Sequence, residues 1–241
     1  ELNARATEVE SKEAAVQRAG FRLTAVNWHQ SPEVVAYVVD NCDAKALVAS
    51  GRFAVGASEA AKISDKLKVK LAFAGTIRGF DDYETMIAPE SPANIDNPAM
   101  GSTMLYTSGT TGRPKGVFRR QPAVSQLTAV CNETAHWRAG ADASLVTGPL
   151  YHAAPLGINF AIPIVAGVTV ILMDKWDAEE TLRIIETHKA TQPHLVPTMM
   201  HRMLQLPEAT RAKYDISSMR WIIHGAAPCP AHVKKAMMDW F

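Results

Sequence analysis

Met104-Leu105-Tyr106-Thr107-Ser108-Gly109-Thr110-Thr111-Gly112-Arg113-Pro114-Lys115-Gly116 concentrates the chemistry of this chain. The first three residues are apolar and read as a short buried strand. The segment from Thr107 to Gly116 packs three glycines, four aliphatic hydroxyls and one lysine into a few positions. Glycine lets backbone N–H groups approach an anion closely and tolerates unusual φ angles. Thr107, Ser108, Thr110 and Thr111 can each donate a hydrogen bond, worth roughly 1.5–3 kcal/mol to a charged acceptor. Lys115 adds a mobile positive charge with three donors. A plain polar turn rarely combines these ingredients in this order. The stretch is read as a polyphosphate-binding loop.

Outward from the loop, the pattern alternates between strands and helices. Upstream, residues 11–19 read as the end of a helix stopped by Gly20, and residues 21–27 as a strand. Ser31-Pro32-Glu33 is a helix start, with an N-cap serine, a first-turn proline and an acid at the positive dipole end. Val34, Val35, Val38, Val39 and Cys42 then share one helical face. Residues 46–49 read as a strand, 57–67 as a helix and 69–74 as a strand. Residues 88–99 carry Pro89, Pro92 and Pro98 among polar residues and read as a surface connection.

Downstream, a helix is expected over 123–138, a strand over 144–147 and a buried helix over 155–166. A strand comes next at 169–173. Residues 177–188 read as a helix opened by a capping box of Asp177 and Glu180, with Leu182 and Ile185 inward. Residues 194–196 read as a strand, and a helix from Pro197 carries Met199, Met200, Met203 and Leu204. A strand over 221–223 precedes a last helix presenting Val233, Ala236, Met237 and Trp240. This alternation predicts an α/β fold with parallel βαβ units.

Composition limits the function classes. The 241 residues are 47% hydrophobic and 20% charged, ordinary for a globular protein. A net charge of +1 argues against a dedicated nucleic-acid binder. No apolar run approaches a membrane span, and the charged N-terminus is no secretory signal. Three widely spaced cysteines form neither a zinc pattern nor a disulfide framework, which fits a reducing cytoplasm. His29, His136, His188, His194, His201 and His232 share no metal-ligand spacing. The chain does not begin with Met and stops at Trp240-Phe241 within an apolar-periodic stretch, so a fragment is expected.

Two further stretches come directly after strands, where ligands collect in open α/β sheets. The first is Pro149-Leu150-Tyr151-His152-Ala153-Ala154-Pro155. Alone it would read as a loop with a satisfied histidine; beside a phosphate loop, a substrate-facing role weighs equally. No acid lies nearby in the sequence to pair an ammonium group of a ligand. Ala154, Leu156, Gly157, Ile158 and Phe160 suit an acyl or aryl tail, and equally a plain buried helix. The second stretch is His224-Gly225-Ala226-Ala227-Pro228. It reads either as a strand-to-helix turn or as a small-residue bed for a flat adenine. Arg119-Arg120 reads as a solvated pair.

The loop lacks the Gly-x4-Gly-Lys-Ser/Thr order of P-loop hydrolases, because Pro114 precedes Lys115 and Gly116 comes after it. It resembles instead the signature of the adenylate-forming superfamily of acyl-CoA synthetases, adenylation domains and luciferases, and most of all the fatty-acyl-CoA synthetases. Pro149–His152 resembles the family's Pro-Leu-Phe-His, with Tyr151 for Phe. His224–Pro228 resembles its Gly-Gly-Ala-Pro segment, with His224 for Gly. Val196-Pro197-Thr198 resembles a structural landmark.

The resemblance implies part of an N-terminal AMP-binding domain, with the C-terminal domain absent and the chain inactive by itself. It implies ATP, Mg2+ and coenzyme A, with a small carboxylic acid activated to an acyl-adenylate and passed to the CoA thiol. Lys115, Thr107, Ser108, Gly109, Thr110, Thr111 and Gly112 would hold phosphates, with Thr107 touching the metal. His152 would border the carboxylate, and His224, Gly225, Ala226 and Ala227 would contact the nucleotide. Alternatives within the resemblance are an aryl-acid ligase or a carrier-loading adenylation domain; outside catalysis, a nucleotide-binding relative without turnover.

Overall fold

The computed structural model describes residues 16, 19–91, 96, 101–107, 113–118, 133 and 136–241. The chain divides into two compact units, Lys12–Pro122 and, joined by the first eleven residues, Ala123–Phe241.

In the first unit, β1 (Arg22–Leu23) pairs in parallel with β5 (Ser102–Thr103). The extended stretch expected over 21–27 is thus a strand only where β5 offers a partner. α1 (Pro32–Asn41) buries Ala36, Val38 and Val39, the face the valine spacing marked out. Ser31 sits at its N-cap but bonds no backbone N–H; its hydroxyl engages the Glu33 carboxylate and lowers that group's pKa. β2 (Ala46–Ser50), α2 (Ala54–Ile63) and β3 (Val69–Phe73) make a βαβ unit, with Ala46 opposite Val69 and Ser50 opposite Phe73. α2 lies earlier than the expected 57–67. The Ser50 hydroxyl accepts the Arg52 N–H and starts a tight turn leading into the helix. At the other end Ser64 turns extended and bonds Asp40 instead.

β4 (Asp81–Asp82) joins the edge of this sheet and leads into α3 (Tyr83–Ile87), capped by Asp82. Neither was legible in the sequence. Residues 88–91 and 96 are exposed, as a surface connection requires. β6 (Leu105–Thr107) and β7 (Lys115–Val117) then form an antiparallel hairpin. The expected buried strand is only half-buried: Met104 is buried, Leu105 and Tyr106 are partly covered, and Thr107 is exposed.

The second unit carries a four-stranded parallel sheet in the order β11-β10-β8-β9, from β8 (Ala143–Val146), β9 (Thr169–Leu172), β10 (Gln192–Leu195) and β11 (Ile223–His224). β8 and β10 are buried along their whole length, as a parallel sheet covered on both faces demands. The helix expected over 123–138 lies mostly outside the described residues, as does the one expected over 11–19. Of the former's expected span, residues 136–138 are not helical, and His136 has a left-handed φ of 47°. The helix expected over 155–166 is a π-helix at Pro155–Ala161 continued by α4 (Ile162–Val165). Its first half is buried, but Val165 is 73% exposed.

α5 (Ala178–His188) crosses from β9 to β10. Asp177 caps it, accepting the N–H groups of Glu179 and Glu180. The Glu180 carboxylate pairs with Arg183 rather than returning to the cap, so the expected reciprocal box is half-formed. α6 (Pro197–Leu204), the short α7 (Glu208–Arg211) and α8 (Ala231–Trp240) complete the unit. Leu182, Leu195, Met200, Met203, Val233 and Met237 form one apolar core. Ala143, Leu145, Ile171, Ile184 and Ile185 form a second, and α5 contributes to both.

Candidate functional site

Thr107 ends β6 and Lys115 begins β7, and the antiparallel register sets them opposite each other. The Thr107 hydroxyl donates to the Lys115 carbonyl at 3.4 Å, and both residues are exposed. Among the described residues no ion pair engages Lys115, so its ammonium is available to an anion. Ser108, Gly109, Thr110, Thr111 and Gly112 lie outside the described residues, as do Arg119 and Arg120. The hairpin delivers a hydroxyl and a cation from two adjacent strand ends, a donor set that suits phosphate oxygens.

In the second unit the chain reverses its direction across the sheet at β8. The chain leaves β8 for β9 on one side, then returns to β10 and β11 on the other. The carboxyl ends of β8 and β10 therefore flank a topological switch point, the place where open α/β sheets bind ligands. Gly148–His152 comes after β8. The turn closes with the His152 N–H donating to the Pro149 carbonyl at 3.1 Å. A Cβ on Gly148 would stand 2.8 Å from Pro155 Cγ, so only glycine lets the chain double back onto the π-helix. His152 is exposed, its ring 4.8 Å from that of Tyr151, whose phenol is raised by burial. Leu156 and Phe160 are buried in the fold, whereas Ala154, Gly157 and Ile158 keep partial exposure.

Beneath this edge, Asn159 projects from the π-helix into the sheet. Its amide donates to Ser144 Oγ at 3.3 Å, and Ser144 Oγ donates to the Asn159 carbonyl at 2.8 Å. Thr147 donates to the backbone carbonyl of His194, tying β8 to β10 at the switch point.

His224-Gly225-Ala226-Ala227 leaves β11 at the same carboxyl edge. Two strand spacings separate β11 from β8, about 10 Å. His224 is partly covered, and its Nδ1 is buried without a hydrogen-bond partner among the described residues. Ala226 adopts φ 67°, a left-handed conformation costing a residue with a Cβ about 1–2 kcal/mol. Ala226 and Ala227 are exposed. His194, taken from the sequence as an isolated histidine, is buried in β10 near His224. Burial, and then His224, hold its pKa below the ordinary imidazole value. Its place in the site depends on the pairing of β10 with β11, for which its spacing carries no signal. Among the described residues no three His, Cys, Asp or Glu side chains gather as a metal site would require.

Thr107 and Lys115 thus belong to one unit, and His152 and His224–Ala227 to one edge of the other. Comparison with known proteins finds similar chains and similar folds. An indoleacetate–CoA ligase of Aromatoleum aromaticum is 30% identical, over 90% of this chain and 42% of that protein. A medium/long-chain-fatty-acid–CoA ligase of Mycobacterium tuberculosis is 36% identical, over 52% of this chain and 21% of that protein. The solved structure of O-succinylbenzoate coenzyme A synthetase from Bacillus subtilis, in complex with ATP and magnesium ion, superposes with a TM-score of 0.71. It is 22% identical and matches 96% of this chain and 45% of that one, a likeness of fold. The chain spans less than half the length of each of these relatives. The family described as AMP-binding enzyme matches residues 13–241, and with the α/β fold and the hairpin signature in place, the chain belongs to this adenylate-forming family.

Proposed function

We propose that residues 1–241 are part of the N-terminal AMP-binding domain of an AMP-forming acid–CoA ligase. In the first step a carboxylate oxygen attacks the α-phosphorus of ATP, forming acyl-adenylate and releasing pyrophosphate. In the second, the thiol of coenzyme A attacks the acyl carbon, forming the thioester and releasing AMP. The observation that carries this reading is the carboxyl edge of the second unit. His152 and the His224–Ala227 turn leave the same carboxyl edge of one sheet, in a chain whose similar relatives include CoA ligases, and this supports the reading.

The chemistry concentrates negative charge, so this chain's task is positioning and electrostatic stabilisation. Lys115 and the loop hydroxyls hold the β- and γ-phosphates and the departing pyrophosphate. Thr107 spends its proton on the Lys115 carbonyl, which leaves its oxygen lone pairs for a hard cation such as Mg2+. Magnesium supplies neutralisation of the phosphate charge there. His152, exposed at the strand end, orients the acid's carboxylate. Gly225, Ala226 and Ala227 bed the adenine beside His224.

The acid lacks an α-amine, since no carboxylate residue accompanies Tyr151-His152 to receive an ammonium. A fatty or related acyl acid is the first reading. An aryl-acid ligase is the second, favoured by the indoleacetate–CoA ligase that aligns over nine-tenths of this chain. The test is acid-dependent ATP–pyrophosphate exchange by the full-length enzyme, with straight-chain acids of graded length beside arylacetates and benzoates. Exchange with fatty acids supports the first reading and exchange with aryl acids the second. Product analysis with CoA offered as acceptor should yield the CoA thioester. Absence of exchange with every acid would sink the ligase reading.

A further inference from the structure

We propose that α1 is the seat of the phosphate-binding hairpin, with Asn41 and Tyr37 as positioning residues that hold β6 and the entry to β7. This rests on the reading of the hairpin as the ATP phosphate site. Tyr106 immediately precedes Thr107 on β6, and its hydroxyl donates to Asn41 Oδ1 at 2.6 Å. Arg113 lies two residues before Lys115, and its guanidinium stands 5.2 Å from the centre of the Tyr37 ring. Tyr37 and Asn41 are four residues apart in α1 and so share one face of the helix. One contact is therefore made from β6 and the other from the residues leading into β7, at one place on one helix.

The stem is shaped for this. Tyr106 faces Gly116 across the ladder. A Cβ at position 116 would come 2.9 Å from Tyr106 Cζ and would also strike Met104 Cε. Glycine leaves room for the tyrosine ring to lie across the partner strand and reach α1. Burial first, then Cys42 and Tyr37, push the Tyr106 phenol up to about 12, so it remains a donor at any working pH. A phosphate site loses affinity in proportion to the time its donors spend misplaced. Fastening the stem raises the fraction of the chain that is competent to bind.

The test measures affinities of the full-length enzyme for ATP, inorganic pyrophosphate and AMP with Mg2+ by titration calorimetry, alongside thermal melts. AMP lacks the β- and γ-phosphates and serves as the internal reference. Asn41→Leu and Tyr37→Leu should each weaken ATP and pyrophosphate binding about three- to tenfold while leaving AMP binding unchanged. Asn41→Asp, which keeps an acceptor, and Tyr37→Phe, which keeps a ring, should bind ATP as the unmodified enzyme does. Equal losses for ATP and AMP, a lowered melting point with an intact ATP-to-AMP ratio, or unchanged ATP affinity overturns the anchoring role. The underlying reading fails separately: if Lys115→Ala keeps the full preference for ATP over AMP, or the unmodified enzyme has none, the hairpin is not the phosphate site and the anchor falls with it.

Discussion

Lys115 and Asp142 are both charged, and their surroundings give them opposite roles. Lys115 is exposed at a strand end and free of ion pairs among the described residues, so its charge serves a ligand. Asp142 is withdrawn from solvent and holds two arginines, so its charge serves the fold. Lys115→Ala in the full-length enzyme should reduce ATP–pyrophosphate exchange by about 10²–10³-fold, the scale set by losing one charge-stabilising donor in a transition state. Its unfolding midpoint should stay within the small range expected of surface substitutions. Exchange at near-normal rates would remove Lys115 from the phosphate site. The role of Lys115 was readable from its neighbours in sequence, because glycines, hydroxyls and a lysine within one loop are a local signal. The partners of Tyr106 and His194 were not, because Asn41 and His224 are distant in sequence and meet them only through folding.

Asp142 shows how one element is held. It stands just before β8 and accepts the Arg138 backbone N–H at 2.8 Å and Arg138 Nη2 at 2.9 Å. Arg220, which leads towards β11, donates from Nη1 at 2.6 Å. The carboxylate thus clamps the amino end of the sheet, opposite the edge that bears the candidate site. Burial raises its pKa, but the hydrogen bonds and charges of the arginines outweigh this and carry it below the usual carboxylate value. A depressed folded pKa means that the stabilisation is complete above about pH 4, the unfolded value, and is lost as pH falls through the lower folded value. Asp142→Asn should cost about 3 kcal/mol at pH 7, because two arginines lose their counter-charge. The deficit should shrink as pH drops below about 4, where the unfolded chain takes up a proton that the folded carboxylate still refuses, and should end below the lower folded value. Urea titrations at pH 7, 4 and 3 read both effects, and a deficit independent of pH would count against the clamp. Element ends teach the same lesson. Asp177 was legible as a cap because it bonds within its own turn; Glu180 was misassigned because Arg183 competes for it.

Across the whole molecule, α5 connects the two apolar cores of the second unit. Leu182 is completely buried in one, and Ile184 and Ile185 belong to the other. Leu182→Ala should destabilise the protein by about 2–5 kcal/mol, the transfer loss plus the cavity left where α5 meets α6 and α8. Equilibrium denaturation measures this, and a loss well under 1 kcal/mol would mean that the core closes over the gap. The sequence by itself determined the α/β class, the parallel βαβ alternation, the face of α1 and the chemical character of the Tyr106–Gly116 loop. Each is written in spacings of a few residues: the period of a helix, the alternation of elements, or a run of donors. Only the tertiary structure decided that Thr107 and Lys115 face each other in an antiparallel hairpin whose Tyr106 bonds Asn41 of α1, and that β8 and β10 flank the switch point. It also decided that His152 and Ala226 leave the same edge of one sheet. Strand order and register arise from pairings between residues tens of positions apart, selected by burial of the whole sheet, and no short window of sequence contains that information.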